Sequence, residues 1–247
     1  MARSLSSPEH DDSDIADYAD TLAEDGIVTV EGYLDADTCD DLRLEIETLL
    51  ERPDLARTRP DDDYEDHIAR GEPVLKERSG EWDDGMLELF NTHFAVPEVE
   101  RIEEDAFVNE VIDAAASEPY SPDTLNTYVN RSITETRGYH ADTYGGKFKS
   151  FVYLSNVPDE SFGPFSYVPG SHEPGRIRRK LTTLVNRVRD RPATDAVFAD
   201  SEDAVTCTAP KGTLVIANQA GLHRGMPQEP GRERVLVTTS YTPDESA

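Results

Sequence analysis

The sequence predicts an α+β chain with a mainly β core, a sandwich or barrel that carries helices. Three observations predict it. In the first half, Ile15, Tyr18 and Leu22, then Leu42, Ile46, Leu49 and Leu50, recur at the spacing that gathers apolar side chains on one helix face. From Leu125 onward, short β-branched and aromatic runs broken by turn residues take over. The length of 247 residues suits one larger β-rich domain and is enough for a buried core.

In chain order, residues 1–13 are polar and acidic and read as a disordered tail, leaving 14–247 as a single domain. The segment DIADYADTLAED (14–25) forms a helix that Gly26 ends, and IVTVEGYL alternates as a strand. Asp35 or Asp37 caps the next helix through its carboxylate. Residues 52–85, rich in Pro, Gly, Asp and Arg, read as a long loop of the functional or mobile kind. Helices are expected around 86–92 and around 98–117, the latter on Val99, Ile102, Val108, Val111 and Ile112. The strands then follow as TLNTYVNRSI, KFKSFVYLSNV, FSYVPG, AVTCTA, GTLVIAN and ERVLVTTSYT. Between the third and fourth lies RIRRKLTTLVNRVRDR (176–191), a basic helix whose Ile177, Leu181, Leu184, Val185 and Val188 are expected to pack on the sheet.

The formal net charge is -27, from 51 acidic against 24 basic residues. A field of that sign repels nucleic-acid phosphates and anionic membranes, so neither is expected as a partner. Lysine occurs only at positions 76, 147, 149, 180 and 211, and the acid is spread along the chain, which predicts a halophilic protein whose self-repulsion salt screens. Cys39 and Cys207 have no CxxC spacing and read as reduced structural thiols. No apolar run reaches membrane-spanning length, and MARSLSSPEHDDSD lacks a signal peptide's apolar stretch, so a cytoplasmic location is expected.

Chemistry gathers in RGYHADTYGG (137–146). On an extended segment His140 and Asp142, two apart, face the same way, so both could point into one barrel mouth. Alone the pair is a common accident. His223 closes the apolar run GTLVIANQAG and offers a third ligand; two imidazoles and a carboxylate with open positions suit non-haem Fe(II). Arg234 begins the strand RVLVTTSY, and a guanidinium fixed inside a barrel needs an anion, which a dicarboxylate cosubstrate supplies through a bidentate pair.

With those four positions in place, the chain resembles the phytanoyl-CoA dioxygenase family of Fe(II)/2-oxoglutarate oxygenases. The likeness runs through DGIVTVEGYLDADTCDDLRLEIETLL, the HAD tripeptide, FVYLSNVPDESFGPFSYVPGSH and KGTLVIANQAGLHRGMPQEPGRERVLVTTSYTP. The resemblance implies a double-stranded β-helix (jelly roll, cupin-like), iron held by His140, Asp142 and His223, and 2-oxoglutarate paired with Arg234. It also implies O2 as oxidant, succinate and CO2 as coproducts, and most often hydroxylation of a small molecule. Asp142 speaks against a halogenase, which in related folds lacks this carboxylate. Phe162 stands where the family usually has Asn before Gly-Pro, a change expected to alter only the turn, and the stretch from Asp142 to Phe151 is short.

Lys149, Tyr128 and Asn126, on strands flanking the HAD segment, would touch 2-oxoglutarate or substrate if they face inward, and would otherwise pack or face solvent. Tyr144 with Gly145 and Gly146 reads as the mouth or as a simple turn. His172 reads as a turn histidine bonded to backbone; His10, His67 and His93 have no partners at ligand spacing. Segment 176–191 is either a basic helix neutralised by the acidic body or a lid that draws in an anionic substrate. Two other functions compete: a non-redox, cupin-like metal protein (isomerase or structural), which has no use for Arg234, and a binding module that has lost activity.

Overall fold

The structure, a computed structural model, describes residues 12–58, 65–173, 175–197 and 201–244. Residues 1–11 of the expected tail, including His10, lie outside the described residues. The helices are α1 (Asp12–Asp25), α2 (Ala36–Leu50), α3 (Glu65–Ala69), α4 (Glu100–Glu103), α5 (Ala106–Ala116) and α6 (Arg176–Val188). The strands begin with β1 (Ile27–Val30), β2 (Ala56–Thr58), β3 (Val74–Glu77), β4 (Leu87–Phe90), β5 (Tyr120–Arg131) and β6 (Phe148–Tyr153). They continue with β7 (Phe165–Tyr167), β8 (Val205–Thr206), β9 (Leu214–Asn218), β10 (His223–Gly225) and β11 (Glu233–Pro243).

Eight strands form one sheet in the order β1-β9-β6-β11-β5-β4-β3-β2, and β10-β7-β8 form a second. These two layers make the double-stranded β-helix. Alternation along the strands decides what each face carries. Leu125, Val129, Val152, Val235 and Val237 point outward and bury α1, α2 and α5 in one apolar cluster. Phe151, Tyr153 and Leu236 point inward and meet Phe165 and Tyr167 of the second sheet. By the same period of two, Tyr128, Asn130, Lys149 and Arg234 belong to the inner face. They are polar residues in a sandwich interior, which is where a site is to be sought.

The long central pair β5–β11 fixes the register, setting Arg234 opposite Asn130 and Leu236 opposite Tyr128. The N-terminal elements follow the sequence pattern: Asp35 caps α2 by accepting from the Thr38 amide at 2.9 Å. Three expectations are corrected. The helix expected around 86–92 is strand β4, because Leu89 and Phe90 find cover only when the segment pairs between β3 and β5. The expected loop 52–85 contributes β2, α3 and β3, which extend the major sheet; residues 59–64 lie outside the description. The expected helix 98–117 is broken, since Asp105 starts α5 afresh by capping the Phe107 amide at 3.1 Å.

The fourth correction concerns α6. Thr182 and Asn186 are buried, whereas Leu181, Leu184 and Val188 are 46%, 58% and 80% exposed. Asn186 explains the inversion. Its side-chain amide donates to the carbonyls of Ala193 (3.3 Å) and Asp195 (2.8 Å), tying the polar face to the following segment and turning Leu181, Leu184 and Val188 outward, with Val185 half-buried and the Ile177 side chain outside the description. Among the described residues no helix is long and apolar enough to cross a membrane.

Candidate metal centre

His140 and Asp142 lie in the chain between β5 and β6, outside any regular strand. Backbone pairing still holds them extended. His140 exchanges amide–carbonyl bonds of 3.0 and 2.9 Å with His223 on one side and bridges Asp195 on the other, and the Asp142 amide donates to the Gln219 carbonyl at 3.0 Å. Thus β10, the loop before it and the segment after α6 fix all three side chains.

Each imidazole is oriented alike. His140 Nδ1 lies 2.8 Å from the Gly138 carbonyl and His223 Nδ1 2.9 Å from the Gly221 carbonyl. A carbonyl only accepts, so both Nδ1 atoms carry the proton and a neutral ring leaves its Nε2 lone pair bare. Those Nε2 atoms lie 3.4 and 3.6 Å from Asp142 Oδ1. One ligand atom from each of the three residues falls within 4.8 Å of the others, a convergence of lone pairs that calls for a cation. Burial opposes the Asp142 carboxylate, but the facing His140 and His223 imidazoles and the nearby Lys149 ammonium hold it well below the usual carboxylate range. Lys149 Nζ stands 3.5 Å from Asp142 Oδ2. Burial works against that ammonium too, and Tyr128, Asp142 and Glu88 outweigh it to raise the pKa.

A cavity of about 140 Å³ opens from the three ligands and ends at Arg234. The arginine is only 7% exposed; its Nη1 donates to the Gly163 carbonyl and its Nε has no partner. Burial pushes its pKa down, which marks a guanidinium short of compensating charge. Gly163 serves this contact through its backbone. At φ +66°, a Cβ there would sit 2.6 Å from Gln228 Cγ and from the Met226 carbonyl, so only glycine presents its carbonyl this way. Phe162, the departure from the family turn, lies with its ring 4.7 Å beneath the Arg232 guanidinium.

Of the other expected contacts, Lys149 and Tyr128 line the cavity. Asn126 is on the same face but off the wall, its amide nitrogen 3.5 Å from Glu88 Oε1. Tyr144, Gly145 and Gly146 border a second, open cavity of about 500 Å³, where Arg179 lies 5.0 Å over the Tyr144 ring. His172 is bonded to the Ala23 carbonyl at 3.2 Å, as a turn histidine would be.

Sequence reasoning missed Asn130, Gln219 and Arg78. Asn130 and Gln219 are buried on the cavity wall, each with a side-chain oxygen lacking a partner. Arg78 lines the cavity and is paired with Glu88 (3.3 Å) and Asp83 (3.6 Å). Counting in twos from Tyr128 would have found Asn130, but Arg78 lies in the stretch read as loop.

The fold and these side chains define a double-stranded β-helix protein with a His-Asp-His group that could hold a metal ion. The phytanoyl-CoA dioxygenase (PhyH) model matches residues 22–234, and the chain belongs to that family. No curated protein matches it by sequence. Among solved structures, the non-haem α-ketoglutarate-dependent epimerase SnoN from nogalamycin biosynthesis superposes with a TM-score of 0.67 at 18% identity, over 94% of this chain and 84% of SnoN. The α-ketoglutarate-dependent carbocyclase SnoK gives 0.62 at 17% identity, over 91% and 82%. HygX from Streptomyces hygroscopicus, with nickel and 2-oxoglutarate bound, gives 0.62 at 14% identity, over 92% and 87%.

Proposed function

We propose that this protein is an Fe(II)- and 2-oxoglutarate-dependent dioxygenase that oxidises a small molecule, with hydroxylation as the outcome and succinate and CO2 released. The observation that carries the reading is the pairing of two unmet needs in one cavity: three convergent lone pairs at one end and a buried guanidinium without a counter-anion at the other. An iron ion held by His140, Asp142 and His223 answers the first, and the far carboxylate of 2-oxoglutarate, paired with Arg234, answers the second. When bound, iron with its cosubstrate supplies the oxidising power that cleaves an unactivated C–H bond.

This chain's residues do the rest. The Gly138 and Gly221 carbonyls fix both imidazoles, and Lys149 keeps the Asp142 carboxylate ionised beside them. Tyr128 and Lys149 serve the cosubstrate or substrate from the wall, while Asn126 acts through Glu88 rather than by contact. Phe151 and Phe165, their ring centroids 4.7 Å apart, make the apolar side that keeps water from the reacting centre. A small-molecule substrate agrees with related structures, in which SnoN holds nogalamycin RO and HygX holds hygromycin B. Arg179 beside the Tyr144 loop favours an anionic one. The reading includes a halophilic, cytoplasmic setting and a single domain over 14–247.

Arg234 argues against the non-redox metal protein, in which a buried, uncompensated cation would only cost stability. A metabolite screen for stimulated succinate formation from 2-oxoglutarate by the Fe(II)-loaded protein tests the proposal. One stimulating compound that gains an oxygen atom supports hydroxylation. A stimulating compound recovered as an epimer or a ring-closed product would replace hydroxylation with that outcome.

A further inference from the structure

The hairpin loop between β3 and β4 builds part of the metal-side cavity: Arg78, Asp83 and Met86 all line it. The Arg78 and Gly85 amides close the loop by donating to the Met86 and Arg78 carbonyls at 2.9 Å each, and the Asp83 amide anchors its tip to the Glu135 carbonyl at 2.8 Å. Asp83 sits there at φ +57°, a left-handed backbone that persists in a residue with a side chain only where the surroundings enforce it.

The polar groups on the wall divide by what they still lack. Lys149 faces Asp142, Arg234 is left for 2-oxoglutarate, and Asn130 stands opposite Arg234 at the cosubstrate end. Arg78 gives its hydrogen bonds, of 3.4 and 3.3 Å, to the buried Glu88. Asp83 keeps only an ion pair of 3.6 Å to Arg78, too long for a hydrogen bond, and its field reaches Arg234 without an ion pair. Gln219 is 3% exposed and donates through Nε2 to the Ala217 carbonyl at 3.0 Å. A carbonyl only accepts, so that bond fixes the amide's orientation and leaves Oε1 as the atom without a partner. Both leftover groups are acceptors. Asp83 is outside the metal-ligand group, and 2-oxoglutarate, a dianion, has no hydrogen to give either of them.

We propose that Asp83 and Gln219 select the substrate, a polyol or amino alcohol whose hydroxyl or ammonium hydrogens meet these two oxygens; the inference rests on the oxygenase reading above. The acceptors come from separate parts of the chain, the β3–β4 loop and the turn after β9, so a molecule with two separated donors serves both. An analogue without those hydrogens leaves buried acceptors unmet and is rejected. Arg179 borders the other cavity and addresses a different part of the molecule.

Succinate formation by the full-length, Fe(II)-loaded protein tests this with paired probes: myo-inositol, sorbitol and glucosamine, each beside its fully methylated derivative, in which no O–H or N–H remains. At least one free probe is expected to raise succinate formation above the unstimulated rate, with its methylated partner weaker by about tenfold or more in kcat/KM. Asp83→Asn, which tolerates the same backbone, and Gln219→Met are each expected to raise KM for that probe about tenfold while kcat changes by less than about twofold, with Tm reporting that each variant is folded. A methylated probe that serves as well as the free one overturns the proposal, as does an unchanged KM in either variant or unstimulated turnover that no free probe raises. A wild-type protein that neither binds nor consumes 2-oxoglutarate would overturn the oxygenase reading, and this proposal with it.

Discussion

Replacing Arg234 by leucine separates the cosubstrate reading from a purely structural one, because the two consequences have opposite signs. The side chain is 7% exposed, makes one bond to the Gly163 carbonyl and leaves its Nε without a partner. Without an anion, that buried charge is a burden that leucine removes, at the loss of one ordinary hydrogen bond worth about 1 kcal/mol. The metal-loaded variant without 2-oxoglutarate is therefore expected to melt close to wild type or above it. With 2-oxoglutarate, the variant loses a charge-assisted pair worth about 1.5–3 kcal/mol, which corresponds to roughly 10- to 150-fold weaker binding. Calorimetric titration of 2-oxoglutarate into Mn(II)-loaded protein under anaerobic conditions reads this directly. Lysine at the position restores charge without the fork and is expected to recover part of the affinity. An unchanged dissociation constant in the leucine variant would refute the reasoning, since the anchor would then lie elsewhere.

Three further outcomes are expected. Asn186→Ala removes two buried donors and leaves the Ala193 and Asp195 carbonyls unmet, a cost of about 1–3 kcal/mol; because 194–196 bond to 139–141, iron affinity is expected to fall together with Tm, and an unchanged Tm would contradict this. Burial pushes the Cys39 and Cys207 thiols up to about 12, so both are expected to resist iodoacetamide at pH 8 in the native protein and to react once unfolded; rapid native labelling would count against their burial. Raising KCl from about 0.1 M to 2 M is expected to raise Tm by screening the carboxylates, and a flat or falling Tm would remove the halophilic reading.

How much of this was legible in the sequence depended on how local each signal was. α1, α2 and the late strands were legible because period, caps and turn residues agree within each segment. The convergence of His140, Asp142 and His223 was legible because H-x-D, a histidine at a strand end and an arginine eleven residues later narrow one another. β4 was misread because MLELF is too short to show a period, and only its partners β3 and β5 make it a strand. The orientation of α6 was misread for a subtler reason. Its apolar stripe is real, but the buried amide of Asn186 and the carbonyls it meets on the next segment decide which face turns inward. Arg78 stayed hidden because its place on the cavity wall comes from a strand folded out of an expected loop.

The central claim is that His140, Asp142 and His223 hold an iron on which 2-oxoglutarate is consumed. It is tested most directly by ¹⁴CO2 release from 1-¹⁴C-labelled 2-oxoglutarate, with iron content measured on the same samples. The wild-type protein is expected to release label only when Fe(II) and O2 are both present. His140→Ala, Asp142→Ala and His223→Ala are each expected to lose that release while keeping a cooperative melt, with Asp142→Ala binding iron more weakly. Full release in any one of the three folded variants, or release from wild type that persists under a strong Fe(II) chelator, would contradict the account.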